Sequence, residues 1–252
     1  MVTLHNENCL KVMRSMKSKS VDLILTDPPY GIGINQNAKA VGIAADLSRQ
    51  ATDKTWDDEI PTDEYFAEMF RVSKNQIIFG ANYFWQNFYS SQCYIIWDKR
   101  GNLPKVPFAD TEFAWTSFTD RMSKKYTVIN HGFIKDSKDE KTIHPTQKPT
   151  ELFVNILRDF AKEGQVIFDP FLGSGTAGIA AVKLDLPFVG CEISAEYFAI
   201  AESRIKQAER EPSFFHATQH SVQRTGGESG QQSLFSAGEV LPAKVTRQST
   251  RR

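Results

Sequence analysis

Two short segments carry residue types that can do chemistry. The first is Thr26-Asp27-Pro28-Pro29-Tyr30-Gly31. Asp27 brings carboxylate oxygens, Pro28 and Pro29 fix φ and lack an N–H, and Tyr30 adds a flat ring. A stiff turn with acceptors and an aromatic face suits a planar ring bearing an exocyclic amine. Taken alone, the tetrapeptide also reads as an ordinary Asp-Pro turn. The second segment is Asp169-Pro170-Phe171-Leu172-Gly173-Ser174-Gly175-Thr176. Its glycines let the backbone approach a ligand closely, and a helix start behind it offers free N–H groups. Glu192 follows Gly173 by nineteen positions, at the end of the next expected strand, where a carboxylate can grip ribose hydroxyls. That is the pattern of a nucleoside-cofactor site.

Gly173, Gly175 and Gly178 also match G-x-G-x-x-G, the dinucleotide fingerprint. In dinucleotide enzymes the first glycine normally follows the strand directly. Here Asp169-Pro170-Phe171-Leu172 intervenes and sets an acid in the pocket. A carboxylate there repels pyrophosphate and welcomes an ammonium or a sulfonium. Nicotinamide binding is therefore the lesser reading.

Both segments need strands to hold them. Residues 21–25, 76–79, 93–97, 166–168 and 188–191 are short apolar runs that read as buried strands, with 112–115 a weaker candidate. Residues 150–162 place Phe153, Ile156, Leu157 and Phe160 on one helical face, and residues 195–209 do the same with Phe198, Ala201, Ile205 and Ala208 after a cap at Ser194. Strands alternating with helices predict an α/β fold with a mostly parallel sheet covered on both faces. In such a sheet ligands bind outside the carboxyl ends of strands, which is where both segments fall. Residues 31–58 and 98–145 read as long irregular segments, a length that marks function. From about Pro212 the chain is rich in Gln, Ser, Gly, Thr and Arg, and residues 212–252 are expected to form a disordered tail after a catalytic domain at 1–211.

Composition sets the bounds. The 252 residues contain 40% hydrophobic and 24% charged residues, which excludes wholesale disorder. Thirty basic and thirty acidic residues give a formal net charge of zero, which argues against a uniformly basic nucleic-acid coat protein but not against one basic face. Cys9, Cys93 and Cys191 lie far apart with no C-x-x-C pair, so neither a disulfide framework nor a metal site is expected, and a cytoplasmic location fits. No apolar run approaches the ~18 residues of a membrane helix, and no secretory signal is visible.

The motifs resemble those of the S-adenosylmethionine-dependent DNA amino-methyltransferases, over most of residues 1–210. Asp27-Pro28-Pro29-Tyr30 is similar to that family's catalytic tetrapeptide, and the segment from Asp169 to Thr176 is similar to its cofactor loop. His144-Pro145-Thr146-Gln147-Lys148-Pro149 resembles the segment that precedes the loop in the beta-ordered group, where the catalytic half comes first. The resemblance implies a Rossmann-like methyltransferase fold with circularly permuted motif order, S-adenosylmethionine as cofactor, double-stranded DNA as partner and no metal. It implies methyl transfer to the N6 amine of a flipped-out adenine, because a leading Asp goes with adenine. Cytosine N4, an RNA amine, or a non-catalytic nucleic-acid-binding relative are the alternatives. By the same resemblance Asp27 and the Pro28 carbonyl hold the amine, Pro29 stiffens the turn and Tyr30 stacks on the base. Asp169, Phe171, Gly173, Ser174, Gly175 and Thr176 form the cofactor loop around the methionine end, Glu192 binds the ribose, and Thr146 and Lys148 lie near the cofactor carboxylate. Where the family often has Gly-Asp-Cys, this chain has Glu7-Asn8-Cys9, so Asn8 can hydrogen-bond the cofactor's adenine but adds no charge.

Residues 98–143 are the candidate target-recognition segment, with Lys99, Arg100, Lys105, Arg121, Lys124 and Lys125 available for phosphates or base edges. Gln231-Gln232-Ser233-Leu234-Phe235 resembles the short peptide by which bacterial replication and repair proteins dock on the sliding clamp.

Overall fold

In a computed structural model the described residues are 1–32, 60–104, 109–131, 134–135 and 147–211. Ten strands and five α-helices are described: β1 (Val2–His5), α1 (Cys9–Ser15), β2 (Val21–Thr26), α2 (Asp63–Val72), β3 (Ser73–Phe79), β4 (Tyr94–Asp98), β5 (Thr111–Thr116), β6 (Lys124–Thr127), β7 (Asn130–His131), β8 (Ile134–Lys135), α3 (Thr150–Phe160), β9 (Ile167–Asp169), α4 (Thr176–Lys183), β10 (Phe188–Cys191) and α5 (Ala195–Ala208). Two 3-10 turns, Ala81–Tyr83 and Trp85–Asn87, follow β3.

One eight-stranded sheet runs β1-β10-β9-β2-β3-β5-β4-β6, while β7 and β8 pair separately. Within the large sheet only β5 runs against its neighbours. The strands alternate sides with a period of two, and both sides are buried. Leu23, Leu25, Ile77 and Phe79 point toward the side covered by α3, α4 and α5, where Leu152, Ile156, Ala180 and Ile205 meet them. Ile24, Ile78 and Phe168 point the other way, onto Val12 and Met13 of α1 and Phe66 and Met69 of α2. The hydrophobic stripe of α3 arises from Leu152, Phe153, Ile156, Leu157 and Phe160 at helical spacing. Ser194 caps α5 by accepting from the Tyr197 N–H at 3.4 Å. Among the described residues no helix is long and apolar enough to cross a membrane.

The strand order reverses between β9 and β2. From β9 the chain moves to β10 on one side, and from β2 to β3 on the other. This is the crevice in which open α/β sheets bind ligands. The two chemical segments, at the carboxyl ends of β2 and β9, therefore leave the sheet side by side.

The expected strands and both expected helices are present. The expectation of an irregular segment over 98–145 is corrected where the chain is described. Residues 111–116 form β5, an internal strand between β3 and β4, and residues 124–127 form β6 at the sheet edge. β5 fits the weaker strand candidate at 112–115, while charge hid β6, which carries Lys124 and Lys125, the residues that protect an edge from further pairing. The tail at 212–252 lies outside the described residues.

Candidate active site

At the end of β2, Asp27 turns its carboxylate into a buried charge cluster. Oδ2 lies 2.5 Å from the Lys148 ammonium, and Oδ1 accepts from the Tyr30 hydroxyl at 2.5 Å. Lys148 Nζ also lies 3.1 Å from Glu112 Oε2 and donates to the Tyr30 hydroxyl at 3.2 Å. Glu112 Oε1 in turn accepts from Lys99 Nζ at 2.9 Å. Burial pushes the Asp27 carboxyl up, opposed by Lys148 and reinforced by the like charge of Glu112. Glu112 is held down to about 2, because the ammonium groups of Lys148 and Lys99 outweigh its desolvation.

Tyr30 is fixed from three directions. Its ring stacks on Tyr83 with centroids 4.7 Å apart, meets the edge of Phe84, and lies over Gly80. Gly80 has φ +71°, and a Cβ there would stand 2.1 Å from the Tyr30 ring. Only glycine satisfies both the backbone conformation and the close approach.

At the end of β9 the surroundings differ. Asp169 is buried, and its Oδ1 accepts from the Thr26 hydroxyl at 2.6 Å and from the Phe171 N–H at 3.0 Å. The bond from Thr26 joins the two strand ends. Burial raises the Asp169 carboxyl to about 7. Glu192, beyond β10, accepts from the Gly173 N–H at 2.8 Å and the Ser194 N–H at 2.9 Å, and burial raises it too. Among the described residues no ammonium or guanidinium pairs with Asp169 or Glu192. Gly175 stands at φ +84° at the start of α4, 3.1 Å from Ala201 by its would-be Cβ, so the loop packs against α5. Thr176 donates to the Lys148 carbonyl at 3.3 Å, which ties the loop to the Asp27 corner.

A cavity of about 360 Å³ joins the two corners. Asp27, Pro29 and Lys148 line it together with Asp169, Phe171, Gly173, Ser174, Thr176, Glu192, Asn8 and Tyr65. Its size suits a small-molecule ligand. Buried carboxylates without a paired cation suit a ligand carrying positive charge and hydroxyls.

The cavity thus gathers most of the expected catalytic and cofactor residues. Asn8 is there, but as the cap of α1: its Oδ1 accepts from the Leu10 N–H at 2.8 Å and its Nδ2 donates to the Tyr65 hydroxyl at 3.1 Å. Lys148 stands against Asp27 and Glu112, so its ammonium is already claimed by those carboxylates. His144 and Thr146 lie outside the described residues. So does Lys105 among the DNA candidates; the other five have partners within the chain. Lys99 pairs with Glu112, Arg100 with Asp110 at 2.8 Å, Lys124 with Asp159 at 2.8 Å and Lys125 with Asp98 at 2.8 Å. Arg121 donates to the Asp159 carbonyl and covers the Phe118 and Phe160 rings. Lys124 and Lys125 remain on the exposed edge strand. Glu112 and Tyr83 escaped the sequence reading. The available signal for Glu112 was an acid inside an otherwise uncharged run, Phe113-Ala114-Trp115-Thr116.

A family model described as DNA methylase matches residues 97–203, from β4 to α5. The chain resembles the DNA amino-methyltransferases. Type II methyltransferase M2.DpnII of Streptococcus pneumoniae is 26% identical over 250 residues, covering 84% of this chain and 91% of that protein. The M1.HpyAVI–SAM complex superposes with a TM-score of 0.52 at 23% identity, over 81% of this chain and 100% of that one. The PvuII DNA methyltransferase, cytosine-N4-specific, gives 0.51 at 15% identity, over 82% and 91%. The fold is the Rossmann-like methyltransferase fold, with the Asp27 segment ahead of the glycine loop in the chain.

Proposed function

We propose that the protein is a site-specific DNA methyltransferase that moves the methyl group of S-adenosylmethionine to the N6 amine of an adenine in DNA. One observation carries the reading: one cavity is lined both by Asp27 and by Asp169, Gly173 and Glu192. The donor set fits the cofactor. Asp169 and the loop from Gly173 to Thr176 would hold the methionine end, and Glu192 would accept ribose hydroxyls. When bound, S-adenosylmethionine supplies an electrophilic methyl group on a sulfonium sulfur.

The rest falls to the chain's own residues. The N6 lone pair of adenine is delocalised and a poor nucleophile. Asp27 and the Pro28 carbonyl would each accept one amino hydrogen and draw the nitrogen toward tetrahedral geometry. Transfer would leave the carbon–sulfur electron pair on sulfur, and the proton shed by the methylated nitrogen would pass to its acceptor Asp27 or to solvent. Positioning and electrostatics carry the rate. The base must leave the helix at a cost of a few kcal/mol, and stacking on an aromatic ring returns ~1–3 kcal/mol. Tyr30 is the ring nearest Asp27.

The choice of adenine rests on Asp27 leading the tetrapeptide; cytosine N4 is the rival. Labelled-methyl transfer to DNA and RNA, followed by base mapping of DNA from a methylation-free host expressing the protein, decides both questions. N6-methyladenine at one sequence is expected. N4-methylcytosine corrects the base, and methylated RNA alone overturns the reading. The Gln231–Phe235 peptide, outside the described residues, would dock on a sliding clamp; a synthetic peptide giving no heat with purified clamp rejects that.

A further inference from the structure

Asp27 is not held by the tetrapeptide alone. Four side chains from separate parts of the chain alternate in charge: Asp27 after β2, Lys148 before α3, Glu112 on β5 and Lys99 after β4. The successive gaps are 2.5, 3.1 and 2.9 Å. Lys148 is almost fully buried; its ammonium donates to Asp27 and to the Tyr30 hydroxyl and forms an ion pair with Glu112. A buried ammonium left alone sheds its proton, and a buried carboxylate left alone takes one up. Each group here stays charged because of its neighbour.

We infer that Glu112 and Lys148 are positioning residues for Asp27, pressing opposite charges on it so that its carboxylate is ionised yet only partly claimed when the target amine arrives. Lys148 keeps Asp27 able to accept a hydrogen bond. Glu112 draws the same ammonium away, which leaves acceptor capacity for the amine. A carboxylate offers about four lone-pair sites, and Lys148 and Tyr30 occupy two of them.

The inference rests on the methyl-transfer reading only for its catalytic meaning. Its electrostatic content concerns Asp27 itself. The titratable groups facing Asp27 are Tyr30 on its own turn, Lys148, Glu112 and, across the crevice, Asp169. Lys99 acts through Glu112 and Tyr83 through Tyr30.

The test uses the full chain, as wild type, Glu112→Gln and Lys148→Met. Two things are measured: the Asp27 carboxyl titration by carbon-13 resonance, assigned with Asp27→Asn, and the pH dependence of kcat with DNA from a methylation-free host. Removing Glu112 takes away a like charge, so the Asp27 titration and the acidic limb of kcat move down by about one pH unit. Removing Lys148 takes away the ammonium, so both move up by at least as much. Retained cofactor binding in both variants shows that they fold. Shifts in the same direction, or none, overturn the inference, since general loosening of the site has no reason to give opposite signs. If wild type transfers no methyl group to DNA while the carbon-13 shifts run in opposite directions, the methyl-transfer reading fails and the electrostatic arrangement stands. If either variant loses cofactor binding, Glu112→Asp and Lys148→Arg replace them, and each must return the Asp27 titration toward wild type; failure to do so also overturns it.

Discussion

At the end of β2, Asp27 faces an ammonium 2.5 Å away. At the end of β9, Asp169 faces a hydroxyl at 2.6 Å and a main-chain N–H at 3.0 Å. The two carboxylates lie in one cavity, and the Thr26 hydroxyl links their strands. One corner is charge-compensated before any ligand arrives; the other, with Glu192 beside it, holds negative capacity in reserve. A compensated carboxylate suits a neutral amine, which needs an acceptor but brings no charge. An uncompensated pair suits a ligand that brings its own cation. Burial does the same thing to both acids, and the neighbours decide what each is for.

Four experiments test this contrast, from the largest effect down. Asp27→Ala should cut methyl transfer by about 10²–10³-fold, the scale of one lost transition-state contact. Cofactor affinity should be little changed, because the other corner is intact. Turnover at the wild-type rate breaks the assignment of Asp27.

Asp169→Asn addresses the opposite corner. Losing a charged partner is worth about 1.5–3 kcal/mol, or roughly ten- to a hundred-fold in cofactor Kd by calorimetry. The pH dependence sharpens it. Asp169 is raised to about 7 by burial, against ~3.9 for an unperturbed Asp. The unfolded chain therefore loses this proton first, and the Asp169 contribution to stability falls as pH rises from about 4 to 7. A cationic ligand favours the ionised form, so cofactor binding should release a proton and strengthen with pH up to about 7. Asp169→Asn should flatten that profile; an unchanged slope would mean another group carries it.

Two of the positive-φ glycines, Gly80 and Gly175, give a matched pair. Gly80→Ala and Gly175→Ala each force a side chain into the left-handed region at about 1–2 kcal/mol, but in different corners. The first strikes the Tyr30 ring and should lower kcat while sparing cofactor Kd. The second strikes Ala201 and should raise cofactor Kd most. If both variants lose the same parameter, the corners are not separable. Asn8→Ala should have the smallest effect, a loss of about 1 kcal/mol by denaturant melting from the missing α1 cap.

Much of this was legible in the sequence because it is local. Buried parallel strands are apolar throughout, so β2, β3 and β9 stand out, and α3 and α5 announce themselves by helical spacing. Asp27-Pro28-Pro29-Tyr30 and the glycine loop are contiguous, and each carries its chemistry within a few residues. β1 and α1 were harder to see, because β1 interrupts its apolar residues with Thr3 and His5 and α1 is only seven residues long.

Amino-acid order alone determined the α/β class and the two chemical segments. It also placed the pair of acids, Asp169 and Glu192, that one loop brings together. Only the tertiary structure decided that Glu112 and Lys99 join Asp27, through Lys148, in one charge cluster. β5 runs antiparallel, so it begins at the rim where β3 and β4 end, with Glu112 opposite Trp97 and Thr111 opposite Asp98. Strand direction is set by which neighbours pair and in what register, and those partners are scattered along the chain. A charge on such a strand looks like a surface residue until its opposite number, here Lys148, is folded onto it.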